Sequence, residues 1–284
     1  KEALEFYNNF SNFVPEASHF PAWDTLSYDS FTPSLEIQGK RLQTLHNLLV
    51  MESFDIAMSM KSFTQKIFIN GLDVIDMQIG QEVDFENLIE NLAFLRYVNK
   101  DRVESRGTFS IRGGQIDIYP LNSEYPIRII FNGDEVVELK LFDYITQRSI
   151  KNIKKVLITP SSELFQTNQE DIYKSLEIES KKDLDEYELF QFSQNLDNFK
   201  SLLDFVPDDI SINIIDFNSC KEVFSELQKI EDDSFNNLQK FFSLNVSKMK
   251  SRYVDTLKEI NKFETIFYAT NDLENISNVP QFLD

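Results

Sequence analysis

The stretch GTFSIRGGQIDIYP, residues 107–120, and its continuation PIRIIFNGDEVVELKLF, residues 126–142, decide the fold of this chain. Apolar and polar residues alternate, the period of a strand with one buried face. Phe109 and Ile111 point one way, Ser110 and Arg112 the other. Gly113-Gly114 is a two-residue hairpin signal, and Ile116 and Ile118 carry the inner face onward. Ile127, Ile129 and Phe131 form the next inward set, leaving Arg128 and Ile130 outward. Asn132-Gly133 is the strongest short hairpin signal in the sequence. Beyond it Val137, Leu139 and Leu141 are expected inside, Glu138 and Lys140 outside. Upstream, Asp84 reads as the N-cap of a helix whose stripe is Phe85, Leu88, Ile89, Leu92 and Leu95. Residues 73–160 are therefore predicted to form an antiparallel β-rich module with one helix.

The flanks read differently. Residues 2–13 carry Leu4, Phe6, Phe10 and Phe13 at helical spacing, ended by Pro15 and Pro21. A start on a helix, with strands only later, leads to the expectation that a preceding first strand has been lost or cut away. Residues 20–33 are loop-like and rich in aromatics. A helix is predicted over 34–50 with Leu35, Leu42, Leu45 and Leu49 inward, then a buried strand within 54–60. Farther on, Ile212, Ile214 and Ile215 read as a central strand ending in Asp216. Helices follow over 221–230 and 235–262, and a last strand over 265–269. Strand–helix–strand order implies an α/β layer. The expected fold class is α/β plus α+β: residues 1–72 and 161–284 as two pieces of one α/β domain, with the 73–160 module inserted between them.

With 284 residues the chain exceeds what one core usually holds. Its net charge of −19 repels polyanions at long range, so the chain as a whole is ill suited to nonspecific nucleic-acid binding and better suited to a protein partner. A single cysteine, Cys220, allows no internal disulfide and fits a reducing cytoplasm. No apolar run has the length of a membrane span, and no secretory signal is legible at the start.

Enzymatic signatures are missing. A phosphate loop needs glycines and a lysine at fixed spacing, and Gly39-Lys40-Arg41 does not supply them. Asp134-Glu135 and Asp216 imitate an acidic strand end, but the first pair belongs to a turn and the second is an ordinary strand end. His19 and His46 stand far apart in sequence, and neither they nor Cys220 have metal-ligand spacing. His46 lies near the apolar side of its helix and reads as a packed histidine. No catalytic residue, cofactor site or metal site is expected. The feature that remains is the outer face of the antiparallel module. Exposed arginines on a stiff sheet suit bidentate contact with carboxylates, which makes Arg112 and Arg128 the candidate partner-binding residues.

Two motifs carry a family resemblance. FPAWDTLSYDSFTP, residues 20–33, and EIQGKRLQTL, residues 36–45, closely resemble the FPAWETLPYDSFSP segment of transcription-repair coupling factors and its next helix. The run from 107 to 120, with IRIIFNGDE at 127–135, LFD at 141–143 and TQRS at 146–149, resembles a pattern those factors share with excinuclease component B. The resemblance covers about residues 20–160. It implies a degenerate, motor-like α/β domain without a working nucleotide site, split by a module that docks onto excinuclease component A. It also implies that Arg112 and Arg128 match arginines contacting component A, whereas Ser110, Ile130 and Asn132 depart from the contact patterns of the two families. The parent protein is expected to meet stalled RNA polymerase and DNA through other domains, where ATP and magnesium would act. Two alternatives stand beside this reading: a fragment of excinuclease component B, an ATP-driven damage-verifying protein, and a segment that restrains the parent's motor.

Overall fold

The computed structural model describes residues 2–26, 31–51, 53–68, 72–165, 169–176, 186–193, 196, 199–238, 253 and 256–268. The first part contains α1 (Glu2–Phe10), β1 (Ser18–Phe20), α2 (Leu35–Val50), β2 (Ile56–Met58), α3 (Met60–Thr64) and β3 (Ile67–Phe68). β1 and β2 pair in parallel, joined through α2. Ser34 caps α2 by accepting the Ile37 amide. Leu42 and Leu45 are buried as expected, but Leu35 and Leu49 are exposed and Leu48 takes the inner place. Helix α1 stops at Phe10, and Leu4, Phe6 and Phe13 face solvent. Its helical spacing marks a stripe that is covered only in part.

The middle part holds β4 (Ile75–Gln78), α4 (Phe85–Phe94), β5 (Val98–Asn99), β6 (Thr108–Arg112), β7 (Gln115–Ile118), β8 (Ile127–Asn132), β9 (Glu135–Phe142), β10 (Ser149–Ile153) and β11 (Lys155–Ile158). Six of these strands form one sheet in the order β10-β9-β8-β7-β6-β5, antiparallel except for the short β5–β6 pair. Asp84 caps α4, its carboxylate accepting the Asn87 amide at 2.9 Å. The helix lays Leu88 and Leu92 onto the sheet, with Leu95 just beyond its end. They meet Phe109, Ile116, Ile118, Ile127, Ile129 and Leu139 in one core. Strand β11 pairs antiparallel with β4, so the two ends of this part lie side by side.

Both glycine turns form. The pairs Arg112↔Gln115 and Asn132↔Glu135 close two-residue loops, with Gly113 at φ 59° and Gly133 at φ 62°, values that a residue without Cβ adopts freely. One expectation fails here. The ladder between β8 and β9 slips at Ile130/Phe131, so Phe131 faces Val136, and Val136 rather than Val137 is fully buried. A bulge of this kind shifts side-chain parity by one residue.

The last part contains α5 (Gln169–Leu176), α6 (Glu186–Ser193), β12 (Phe199–Lys200), β13 (Ser211–Ile215), α7 (Phe217–Leu238), α8 (Thr256–Glu259) and β14 (Glu264–Tyr268). β13 and β14 are parallel partners, and among the described residues β13 has no second neighbour, where a central strand is expected from sequence. The expected helix over 235–262 is not continuous. Helix α7 runs to Leu238, and Tyr253 instead forms a β-bridge to Gln65. Residues 239–252 of that helix, and residue 269 of the expected last strand, lie outside the described residues.

Helix α2 fixes the middle part against the first. A Cβ on Gly39 would stand 2.3 Å from the Leu121 carbonyl oxygen, so the backbones meet only because glycine lacks one. Asn122 donates to Gln43 at 2.8 Å, the Glu163 amide donates to the Gln38 side chain at 3.0 Å, and Arg41 pairs with Glu163. Mixed helix and sheet, with one large antiparallel-dominated sheet and smaller parallel pairs, is therefore the observed architecture.

Candidate partner-binding face

The six-stranded sheet has one face under α4. Cross-strand register arranges the other face in rows. Ser110, Asp117, Arg128, Lys140 and Asn152 form one; Arg112, Gln115, Ile130 and Glu138 form the next. Strands lie about 4.8 Å apart and rise about 3.4 Å per residue, which puts the backbones of Arg112 and Arg128, two strands across and two residues along, roughly 12 Å apart.

The Ser110 end of this face is covered. Val103, Tyr119 and Phe142 form a small core there, and the Ser110 hydroxyl donates to the Asp101 carbonyl at 3.1 Å. Ser110 is thus buried, although strand parity places it toward solvent. Parity gives the face of the sheet; it does not show that the segment around 101–103 lies over it. The covering segment is itself tied down, for Arg102 donates to the carbonyls of Tyr144 and Ile145, and the Gln147 amide nitrogen donates to that of Val103.

The two candidate arginines occupy different environments. Arg112 is exposed at the end of β6, beside the Gly113 turn, and one terminal nitrogen donates to the Asp101 carbonyl at 2.8 Å. Among the described residues no carboxylate lies within ion-pair distance of it. Arg128 is half-buried, its side chain 17% exposed. Its Nε donates to Asp117 Oδ1 and its Nη2 to Asp117 Oδ2, both at 2.8 Å. The Phe142 ring lies 4.7 Å from its guanidinium carbon. The hydrogen bonds to Asp117 raise the Arg128 pKa further, so the cation is permanent. Lys140, beside Arg128 on β9, pairs with Glu138 of its own strand.

Sequence reasoning misses Asp117. The available signal is its parity: it sits between Ile116 and Ile118, which face inward. Its side chain is only 3% exposed and accepts three hydrogen bonds, two from Arg128 and one from Gln115 at 2.9 Å.

The whole middle part differs from its surroundings in charge. Residues 75–160 carry eleven Lys and Arg against thirteen Asp and Glu, so almost none of the net −19 resides there. An acidic partner meets little long-range repulsion from this sheet.

The other residues weighed from sequence have structural places. His19 lies in β1 and His46 on α2; Asp216 accepts from the Ser219 amide and hydroxyl at the start of α7; Asp134 belongs to the β8–β9 turn. Among the described residues no group of three or more His, Cys, Asp or Glu is arranged to hold a metal ion. No helix among them is long and apolar enough to cross a membrane.

Residues 75–164 match the family model described as the UvrB interaction domain. The chain is 29% identical over 168 residues to the transcription-repair-coupling factor of Escherichia coli strain K12, covering 57% of this chain and 14% of that protein. To the transcription-repair-coupling factor of Staphylococcus aureus strain MRSA252 it is 26% identical over 254 residues, 78% of this chain and 22% of that protein. To that of Bacillus subtilis strain 168 it is 25% identical over 252 residues, 77% and 21%. The chain thus spans between 14% and 22% of the length of these relatives. The aligned lengths run well beyond the sheet domain, and the chain is accordingly a relative of the transcription-repair-coupling factors whose residues 75–164 match the UvrB interaction domain.

Proposed function

We propose that this chain is the amino-terminal, partner-recruiting part of a bacterial transcription-repair coupling factor, and that the open face of its six-stranded sheet docks excinuclease component A. The observation that carries this reading is the pair of arginines, Arg112 and Arg128, on one face of the sheet within the matched domain. Their forked donors suit a partner surface that presents carboxylates and carbonyls. In this reading the chain is not an enzyme. It works in the cytoplasm by bringing excinuclease component A to stalled RNA polymerase, while polymerase, DNA, ATP and magnesium are engaged by other domains of the parent protein. The flanking parts are a degenerate motor-like α/β domain. Support comes from β1/β2, a parallel pair joined through α2, and from β13/β14, a parallel pair with α7 and α8 between its strands.

The test is the double variant R112E/R128E titrated against purified excinuclease component A from the same bacterium. Loss of a desolvated charge contact typically costs about 2–5 kcal/mol, and charge reversal at both positions is expected to abolish measurable binding. R128E sets a carboxylate beside the nearly buried Asp117, so circular dichroism and the thermal midpoint must first establish that the double variant is folded. Retained affinity in a folded double variant overturns the proposal.

A further inference from the structure

We infer that Asp117 is a positioning residue for the docking face: it holds the Arg128 guanidinium by one edge so that the other edge is presented, already oriented, to an acceptor on the partner. The inference rests on the proposed docking of excinuclease component A.

The geometry is specific. A guanidinium has five N–H donors, two of them along its Nε/Nη2 edge. Both of those go to Asp117, at 2.8 Å each. Three donors remain, two on Nη1 and one on Nη2, and they include the end-on pair that matches a planar oxygen acceptor. Asp117 is itself fixed. It faces Arg128 directly across the β7–β8 ladder, it is almost wholly buried, and Gln115 holds its Oδ1 at 2.9 Å. The Phe142 ring supports the guanidinium, 4.7 Å from its carbon. An arginine held this way has lost its rotamer freedom before the partner arrives, so that cost is absent from binding. Asp117 is too buried for a partner to reach, which leaves it one role at the interface, through Arg128.

The same ion pair could instead sequester Arg128 from the partner, and the two cases differ in sign. If Asp117 positions Arg128, D117N weakens binding. If it competes for Arg128, D117N tightens binding. The experiment measures affinity for purified excinuclease component A in the full chain and in D117N, R128A and D117N/R128A, each checked for folding by circular dichroism and thermal midpoint. The expected results are a large loss for R128A, a loss of roughly five- to tenfold for D117N, and no further loss when D117N is added to R128A. Tighter binding by D117N, or an equal D117N effect with and without Arg128, overturns the positioning role and leaves the docking face standing. Unchanged affinity in R128A overturns the part of the docking reading that rests on Arg128, and this inference with it. Should D117N fail to fold, R128K replaces it. Lysine keeps the charge and its Asp117 partner but has no second edge, so it is expected to lose as much as R128A; wild-type affinity in R128K overturns the inference.

Discussion

Arg41 on α2 and Glu163 beyond β11, 122 residues apart, form a buried ion pair in which Arg41 Nε lies 2.9 Å from Oε1 and 3.1 Å from Oε2. The diagnostic segment at 20–33 supplies much of its cage. The Trp23 indole N–H donates to Glu163 Oε1 at 2.8 Å, the Pro21 carbonyl accepts from Arg41 Nη1 at 2.9 Å, and the rings of Phe20 and Trp23 lie 4.3 and 4.7 Å from the guanidinium carbon. Burial pushes Arg41 down and Glu163 up, each opposed by the charge of the other. Residues 27–30 of that segment lie outside the described residues.

Breaking this pair from one side strands a charge in the interior. E163A is expected to destabilise the chain by about 3–5 kcal/mol, seen as a lower midpoint in urea. The double replacement R41M/E163L, which removes both charges at similar volume, is expected to cost less than E163A alone. A double variant less stable than the single one contradicts this account.

Gly39 predicts the cost of closeness. Alanine is the better helix former by roughly 1 kcal/mol, yet its Cβ would meet the backbone oxygen of Leu121. Backbone cannot swing aside as a side-chain tip can, so G39A is expected to be net destabilising, by about 1–3 kcal/mol. Thermal denaturation of G39A beside the parent chain measures it; a raised midpoint contradicts the contact.

Salt separates the two arginines. Asp117 already compensates Arg128, whereas Arg112 donates only to a carbonyl. R112A is therefore expected to flatten the dependence of excinuclease component A affinity on ionic strength, and R128A to lower affinity while leaving most of that dependence in place. Titrations at low and high sodium chloride give both slopes, and equal slopes contradict the assignment.

The histidines predict a pH response. Burial lowers the pKa of both His19 and His46 below the ordinary 6.5, with Lys40 adding to the shift at His19. A depressed folded pKa means that the unfolded chain takes up protons first. Their contribution to stability is thus intact above about 6.5 and is lost as pH falls through the folded values. H19Q/H46Q is expected to gain stability relative to the parent as pH drops from 7 toward 5, with a constant difference above 7. Parallel urea midpoints across that range contradict it.

The sheet is readable where local chemistry decides it. Ile127, Ile129 and Phe131 alternate, two-residue glycine turns close both hairpins, and Asp84 caps α4 as its position before an apolar stripe implies. Reading fails where one residue changes the phase. Nothing in the run Glu135-Val136-Val137-Glu138 announces the slipped ladder that turns Val136 inward. The Asp117–Arg128 pair is hidden for a related reason. Two-residue turns fix register, but the connection between β7 and β8 runs from 119 to 126, too long to say which residue faces Arg128. Arg41 enters the sequence reading as part of a failed phosphate loop and of the 36–45 motif, not as half of an ion pair, because a partner 122 residues away leaves no periodic trace. Leu35 and Leu49 show the limit of helical spacing, which marks a stripe without saying how much of it a neighbour covers.

The pairing of β4 with β11 has one further consequence. The domain closes its own neck: the strand by which the chain enters and the strand by which it leaves are zipped together by their own amide ladder. The host need not clamp the two ends, and its helix α2 braces the domain from the side instead, through Gly39 against Leu121 and Arg41 against Glu163. A cut outside the neck leaves the two ends of the domain paired, and what it uncovers is the side that α2 covers, Leu121 and Asn122 among it.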